Sequence, residues 1–259
     1  MSDRPRRVET RPIPATRRFV TGALRASRRM MPTHGLVQCD VTEAQASLKA
    51  ADPPISFTAF IVAAVARAAA AHPEVHAYRT WGAKSVVHHH VDVATLVEVG
   101  SPESSFPLAH LVRDADVRSP ADISAEIRKI KADPPAGTSG RLFTQVAPLA
   151  SRIPGAVALF YRLASKSVRM RRMTGTVSVT SVGMFGGGGG FGIGQPTVQT
   201  LTVLVGGISG RPWLKDGHIV PRQILDLTIT VDHNVVDGAP TARFVADLRR
   251  MLEEPGFGA

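Results

Sequence analysis

The chain has 259 residues, 44% hydrophobic and 20% charged, which suits one large or two small globular domains and excludes wholesale disorder. Thirty-one Lys and Arg against 21 Asp and Glu give a net charge of +10, favouring anionic partners such as nucleic acid, anionic lipid or phosphate-bearing small molecules. A single cysteine, Cys39, excludes an internal disulfide and a cysteine-based zinc cluster, and no apolar run reaches the roughly 18 residues of a membrane span. With no apolar secretory core at the N-terminus, the expected location is the cytoplasm.

Residues 1–17 form a basic, proline-containing stretch with acidic residues only at Asp3 and Glu9, expected to be a mobile arm. A helical pattern runs from Arg18 and is stopped at Pro32; Leu36 to Val41 reads as a strand. Ser56 is a candidate N-cap for an alanine-rich, nearly uncharged and therefore buried helix that Pro73 ends. Residues 85–99 alternate and are β-branched, predicting one strand, with a second at Leu108 to Val112. Ser119-Pro120 starts a helix running to Pro134, and residues 134–156 carry no clear pattern. A helix from about Ala156 to Met170 is apolar on one face and basic on the other. Strands are expected at 176–183, 198–208 and 224–232, and an amphipathic helix at Pro240 to Leu252. This mixture lacks regular βαβ alternation and points to an α+β layered sandwich. The expected organisation is one domain over 18–254, with a short tail at 255–259.

The sharpest local feature is Val231-Asp232-His233-Asn234-Val235-Val236-Asp237-Gly238. A histidine at a strand end is held rigidly beside an opening loop, and imidazole is the side chain best suited to taking a proton near pH 7. The alternative is a satisfied strand-end histidine, with Asp237 merely capping the following helix. A second feature is Ser178-Val179-Thr180-Ser181-Val182-Gly183 before a run of five glycines. Its hydroxyls suit oxyanion stabilisation, or else lie on an ordinary strand face before a mobile loop. The glycines are neither a phosphate loop, since no lysine follows them, nor a dinucleotide fingerprint, since no helix does. His88 and His90 share a strand face without a third ligand, so the expectation is a solvent-facing edge strand and no metal. Arg162, Lys166, Arg169, Arg171 and Arg172 read as a solvated helix face or a surface for an acidic partner. With only 5% aromatic residues and no stacking motif, specific nucleic-acid recognition is not expected.

Together these elements resemble the catalytic domain of the dihydrolipoyl acyltransferase component of 2-oxoacid dehydrogenase complexes, which shares the chloramphenicol acetyltransferase-like fold. Pro32 to Thr42 is similar to the family's first strand after a proline-histidine turn. Val91 to Val97 with Val112-Arg113-Asp114-Ala115-Asp116 is similar to its central strand pair. Val179 to Gly186 resembles its I-S-N-L-G-M-F-G element, and Asp232 to Gly238 its D-H-R-V-V-D-G signature. The resemblance covers about residues 17–254. It implies an α+β layered sandwich with a mixed β-sheet and helices packed on it. It further implies a CoA-dependent acyltransferase in which His233 takes the thiol proton of coenzyme A or dihydrolipoamide and Thr180 donates to the oxyanion. Asp237 would hold the site backbone through a basic partner, and Gly238 would permit the tight turn. The family's site forms between subunits of a trimer, so a homotrimer or larger homo-oligomer is implied. Asn234 stands where the family has arginine, and His110 where it has proline. The chain carries no lipoyl-lysine motif and no peripheral-subunit-binding segment. Lipoyl groups are therefore expected in trans, on a partner protein. Two other readings of the same residues are a stand-alone acyl-CoA-dependent acyltransferase acting on a small hydroxyl or amine, and a non-catalytic scaffold.

Overall fold

The computed structural model describes residues 8–10, 12–13, 15–99, 106–133, 153, 155–181, 188–254 and 256. Helix α1 (Ala15–Ala26) and a 3-10 turn (Ser27–Arg29) lead into β1 (Pro32–Asp40), α2 (Thr42–Ala50) and α3 (Phe57–Ala71). Short β2 (Tyr78–Arg79) and β3 (Ser85–Val86) precede β4 (Val93–Val99), β5 (Phe106–Val112) and α4 (Pro120–Ala132). Then come α5 (Ala156–Lys166), α6 (Val168–Arg171), β6 (Val177–Ser181), β7 (Leu201–Lys215), β8 (His218–Asp232) and α7 (Gly238–Glu253).

Six strands form one mixed sheet in the order β1-β8-β7-β6-β4-β5, and β2 pairs with β3 separately. β6 runs parallel to both β4 and β7, and the other pairings in the sheet are antiparallel. Alternation aims Val177, Val179, Leu201, Val203, Leu225, Leu227, Ile229 and Val231 at one face. Against this face pack α3, whose alanines and Phe60, Ile61 and Val65 are buried almost all round, and the apolar stripe Phe244, Leu248 and Leu252 of α7. The α+β sandwich expected from the element mixture is what forms.

The opposite face of the central strands is lined by hydroxyls: Ser178, Thr202, Thr228 and Thr230, all largely buried. Thr230 bonds the His34 imidazole and Thr202 bonds Thr197. The described end of the glycine run lies against β7 at a bulge between Val205 and Ile208. There Gly207 N donates to the Gly190 carbonyl and Gly190 N to the Asp226 carboxylate. A Cβ on Gly206 or Gly207 would collide with the Gly190 or Gly188 carbonyl, so close backbone approach demands glycine at this seam.

Several boundaries depart from expectation. The first helix begins at Ala15, inside the stretch expected to be an arm. The short helix α2 buries only Ala44 and Leu48, too thin a stripe to stand out in the sequence. The strand expected over 85–99 is two strands. Between them the Val112–Asp116 turn holds the chain: Asp92 accepts from Arg113 and the Asp114 amide, and Asp116 accepts from the Val91 amide. The expected strands at 198–208 and 224–232 are one long hairpin turning at Asp216-Gly217, where both residues have positive φ. The helix over 156–170 breaks at Ser167, which caps α6. The residues expected to lack pattern fall mostly in 134–152 and 154, outside the described set, as does the 182–187 part of the glycine-rich element.

His76 lies fully inside, with neither ring nitrogen hydrogen-bonded to a described residue. Burial, then the neighbouring His88, His90 and Arg171, push its pKa down to about 4. In the unfolded chain it titrates near 6.5, so its contribution is complete above that pH and is lost as pH falls toward 4. Lowering pH from 7 to 4.5 is expected to remove about 2 kcal/mol through this residue. Denaturant unfolding across that range checks it: His76→Leu should show a shallower pH dependence than wild type, and equal slopes would contradict the assignment.

Candidate active site

Strand β8 leaves the sheet at Asp232, and a small network sets the next residue in place. Asp232 Oδ1 accepts from the Met31 amide at 3.1 Å, the Asn234 amide at 3.1 Å and Asn234 Nδ2 at 2.8 Å. Asn234 Nδ2 also reaches the Arg29 carbonyl, and the His233 amide donates to the Met31 carbonyl at 2.8 Å. The backbone of His233 is thus tied to the segment entering β1. Its imidazole is 48% exposed, with Nδ1 3.9 Å from Asp237 Oδ1, an ion-pair separation beyond hydrogen-bond length. The histidine motif therefore has a fixed backbone and an accessible ring.

Asp237 stands at the N-cap of α7, but its side chain makes no capping bond and is 87% exposed. Among the described residues the basic group within ion-pair distance of it is His233. Gly238 has helical backbone and open space where a Cβ would go, so the turn places no demand for glycine there. That corrects the expectation that Gly238 permits a tight turn.

Thr180 lies on β6, partly buried. Register places Thr180 opposite Leu204 and Leu204 opposite Thr228. His233 is five residues beyond Thr228 and two strands across from Thr180. The separation is about 16 Å along the strands and about 10 Å across them. The side chains of Thr180 and His233 do not meet within one chain.

The other marked residues have structural surroundings. His88 and His90 flank each other with ring centroids 4.9 Å apart, and His88 stacks on Tyr78. Both are half-buried in the connection between β3 and β4, so they do not lie on the solvent-facing edge strand that was expected. No group of three or more His, Cys, Asp or Glu is placed to hold a metal ion among the described residues. His110 is buried and bonded to Glu126 of α4, which also binds Arg118. Burial pushes the Cys39 thiol up to about 12, away from nucleophile chemistry. Arg171, expected on a solvated helix face, is buried against Tyr78. It helps line a cavity of about 250 Å³ that also touches Asp232, Asn234 and Val235. Periodicity gave no signal for this cavity, because its lining comes from distant segments. No described helix is long and apolar enough to cross a membrane.

A family model described as 2-oxoacid dehydrogenases acyltransferase (catalytic domain) matches residues 5–138 and 156–257. The dihydrolipoyllysine-residue acetyltransferase component of the pyruvate dehydrogenase complex of Rickettsia bellii is 26% identical over 210 residues, 78% of this chain and 40% of that one. The chain spans between about a fifth and two fifths of the length of the curated relatives it matches first. Among solved structures, a dihydrolipoamide acetyltransferase of Azotobacter vinelandii superposes with a TM-score of 0.72 at 19% identity, covering 96% of this chain and 92% of that one. A chloramphenicol acetyltransferase superposes with a TM-score of 0.51 at 15% identity, covering 93% and 96%. The fold is the chloramphenicol acetyltransferase-like sandwich.

The Asp232 network predicts a local effect on the His233 turn. Asp232→Ala should cost about 1–3 kcal/mol and raise amide exchange in 29–35 and 232–236, with α3 unchanged. Asp232→Asn, which keeps an acceptor oxygen, should retain most of the protection. Unchanged exchange in both variants would show that the network does not hold the turn.

Proposed function

Because this chain belongs to the 2-oxoacid dehydrogenases acyltransferase (catalytic domain) family, we propose that it moves an acyl group between coenzyme A and a thiol, with dihydrolipoamide on a partner protein as the acceptor. The observation that carries this reading is the His233 turn: a clamped backbone presenting an accessible imidazole at a strand end. That is the arrangement a general base needs. His233 takes the thiol proton as the sulfur attacks the thioester carbonyl. Thr180 donates its hydroxyl hydrogen to the tetrahedral oxyanion. Collapse releases the second thiolate, which recovers the proton from the imidazolium. The exchange consumes no net proton and needs no covalent intermediate on the protein. Asp237, 3.9 Å from the imidazole, helps hold the site and does not act on the substrate.

The separation between Thr180 and His233 in one chain supports a site completed by a second copy, in a homotrimer or larger assembly. A crystallographic and enzymatic study of the Azotobacter protein concerned a serine, a histidine and an asparagine in its catalytic mechanism. That this chain also carries a hydroxyl and an imidazole in its two marked motifs, Thr180 and His233, supports the reading. In this reading residues 18–254 belong to the catalytic domain, which α1 extends back to Ala15, the residues before it are a basic arm and 255–259 a tail, and the protein works in the cytoplasm without a metal or specific nucleic acid.

Acyl transfer from acetyl-CoA and longer or branched acyl-CoAs to dihydrolipoamide tests the reading. His233→Ala should lower kcat about 10²–10⁴-fold with little change in KM. Asp237→Asn should have a smaller effect. Full activity in His233→Ala, or no transfer by the assembled wild type with any donor, would overturn it.

A further inference from the structure

Helix α6 ends on a buried cation that has no counter-ion among the described residues. Arg171 is 1% exposed. One guanidinium nitrogen donates to the Val198 carbonyl, and the Tyr78 ring centre lies 4.6 Å from Cζ. Arg171 Nε and the Tyr78 hydroxyl are both buried without a hydrogen-bond partner among the described residues. No described carboxylate contributes to its electrostatic surroundings; burial lowers its pKa to about 10, which leaves it charged at neutral pH. A buried charge without a partner is destabilising, and a buried donor without an acceptor adds to the cost.

Both groups belong to the wall of the cavity beside the Asp232 turn. Arg29, Arg79, Arg162 and Lys166 complete a cationic lining drawn from four separate elements. Arg162 and Lys166 are four residues apart on α5 and so share a face. Among the described residues the one carboxylate in the lining, Asp232, has its Oδ1 engaged by three N–H donors. Five cations and a free phenol around a small cavity describe a host for a compact, multiply charged anion. Guanidinium groups match the oxygen geometry of phosphate in particular.

We infer that this cavity binds a phosphate group, with Arg171 and the Tyr78 hydroxyl inside and Arg162 and Lys166 at the opening. The ligand class is a phosphate ester or diphosphate. Two sources share that chemistry: the phosphates of coenzyme A, or a separate phosphorylated small molecule. Only the choice between them rests on the acyltransferase reading. A phosphate here would also brace the turn that carries His233, because Asp232, Asn234 and Val235 form part of the same wall.

The test uses calorimetric titration of the full chain with inorganic pyrophosphate, coenzyme A and phosphate-free pantetheine. Wild type should bind pyrophosphate. The double variant Arg162→Ala/Lys166→Ala should bind it at least about tenfold more weakly, and Arg171→Met likewise if it folds. Arg249→Ala, which removes a cation of α7 paired with Glu253, should bind as wild type does. Competition by coenzyme A but not pantetheine assigns the phosphate to the thiol substrate. Pyrophosphate binding without such competition assigns it to a separate phosphorylated ligand, and either result upholds the site. No pyrophosphate binding by wild type, or equal losses in the double variant and Arg249→Ala, would overturn it. Acyl transfer from acetyl-pantetheine, which carries no phosphate, separates the two claims. Transfer that persists in the double variant leaves the acyltransferase standing even if the phosphate site fails.

Discussion

Strand β8 is hydrogen-bonded along both edges, to β1 from Asp40 back to Pro32 and to β7 from Lys215 back to Leu201. This double pairing sets where His233 stands, and β7, paired in turn with β6, relates it to Thr180. Side chains alternate faces, so a slip of one residue would turn Leu225, Leu227, Ile229 and Val231 out of the core. The apolar face therefore locks the register, and the register determines where the chain leaves the sheet. It leaves at Asp232, whose carboxylate gathers the amides on either side of the departure. His233 inherits its position from packing many residues away.

The same strand carries a buried carboxylate near its middle. Asp226 is fully buried and accepts from the Gly190 amide, from Gln38 of β1 and from Arg211 of β7. A buried charge is tolerated only with partners of this quality. The bonds tie the end of the glycine-rich segment to the middle of the sheet, on the hydroxyl-lined face opposite the helices. The glycines earn their place by letting two backbones touch, and Gly206 and Gly207 on β7 are the complementary half of that seam.

The legible parts of the sequence were those governed by local pattern. Alternation located β6 and the core of β8, Ser119-Pro120 marked the start of α4, and the alanine-rich run marked α3 as buried. His233 was readable because a strand end, an aspartate and a helix start follow one another directly. What escaped depends on distant partners. Residues 85–99 alternate as a strand should, yet the Val112–Asp116 turn captures Asp92 and Val91 and interrupts it. Arg171 follows the same basic periodicity as Arg169 and Arg172, yet only Arg171 meets Tyr78 and goes inside. Gly238 was credited with a turn that its helical backbone does not make.

We propose that the base and the oxyanion donor of one site come from different copies of the chain, since register keeps His233 and Thr180 far apart in one. Subunit mixing tests this most directly. His233→Ala and Thr180→Val proteins, each nearly inactive alone, would be unfolded together and reassembled in equal amounts. Random assembly gives about a quarter of the sites an intact residue from each partner, so about a quarter of wild-type transfer activity should return. Mixed assemblies no more active than the separate variants would contradict the account, placing both groups within one chain or one of them outside the chemistry.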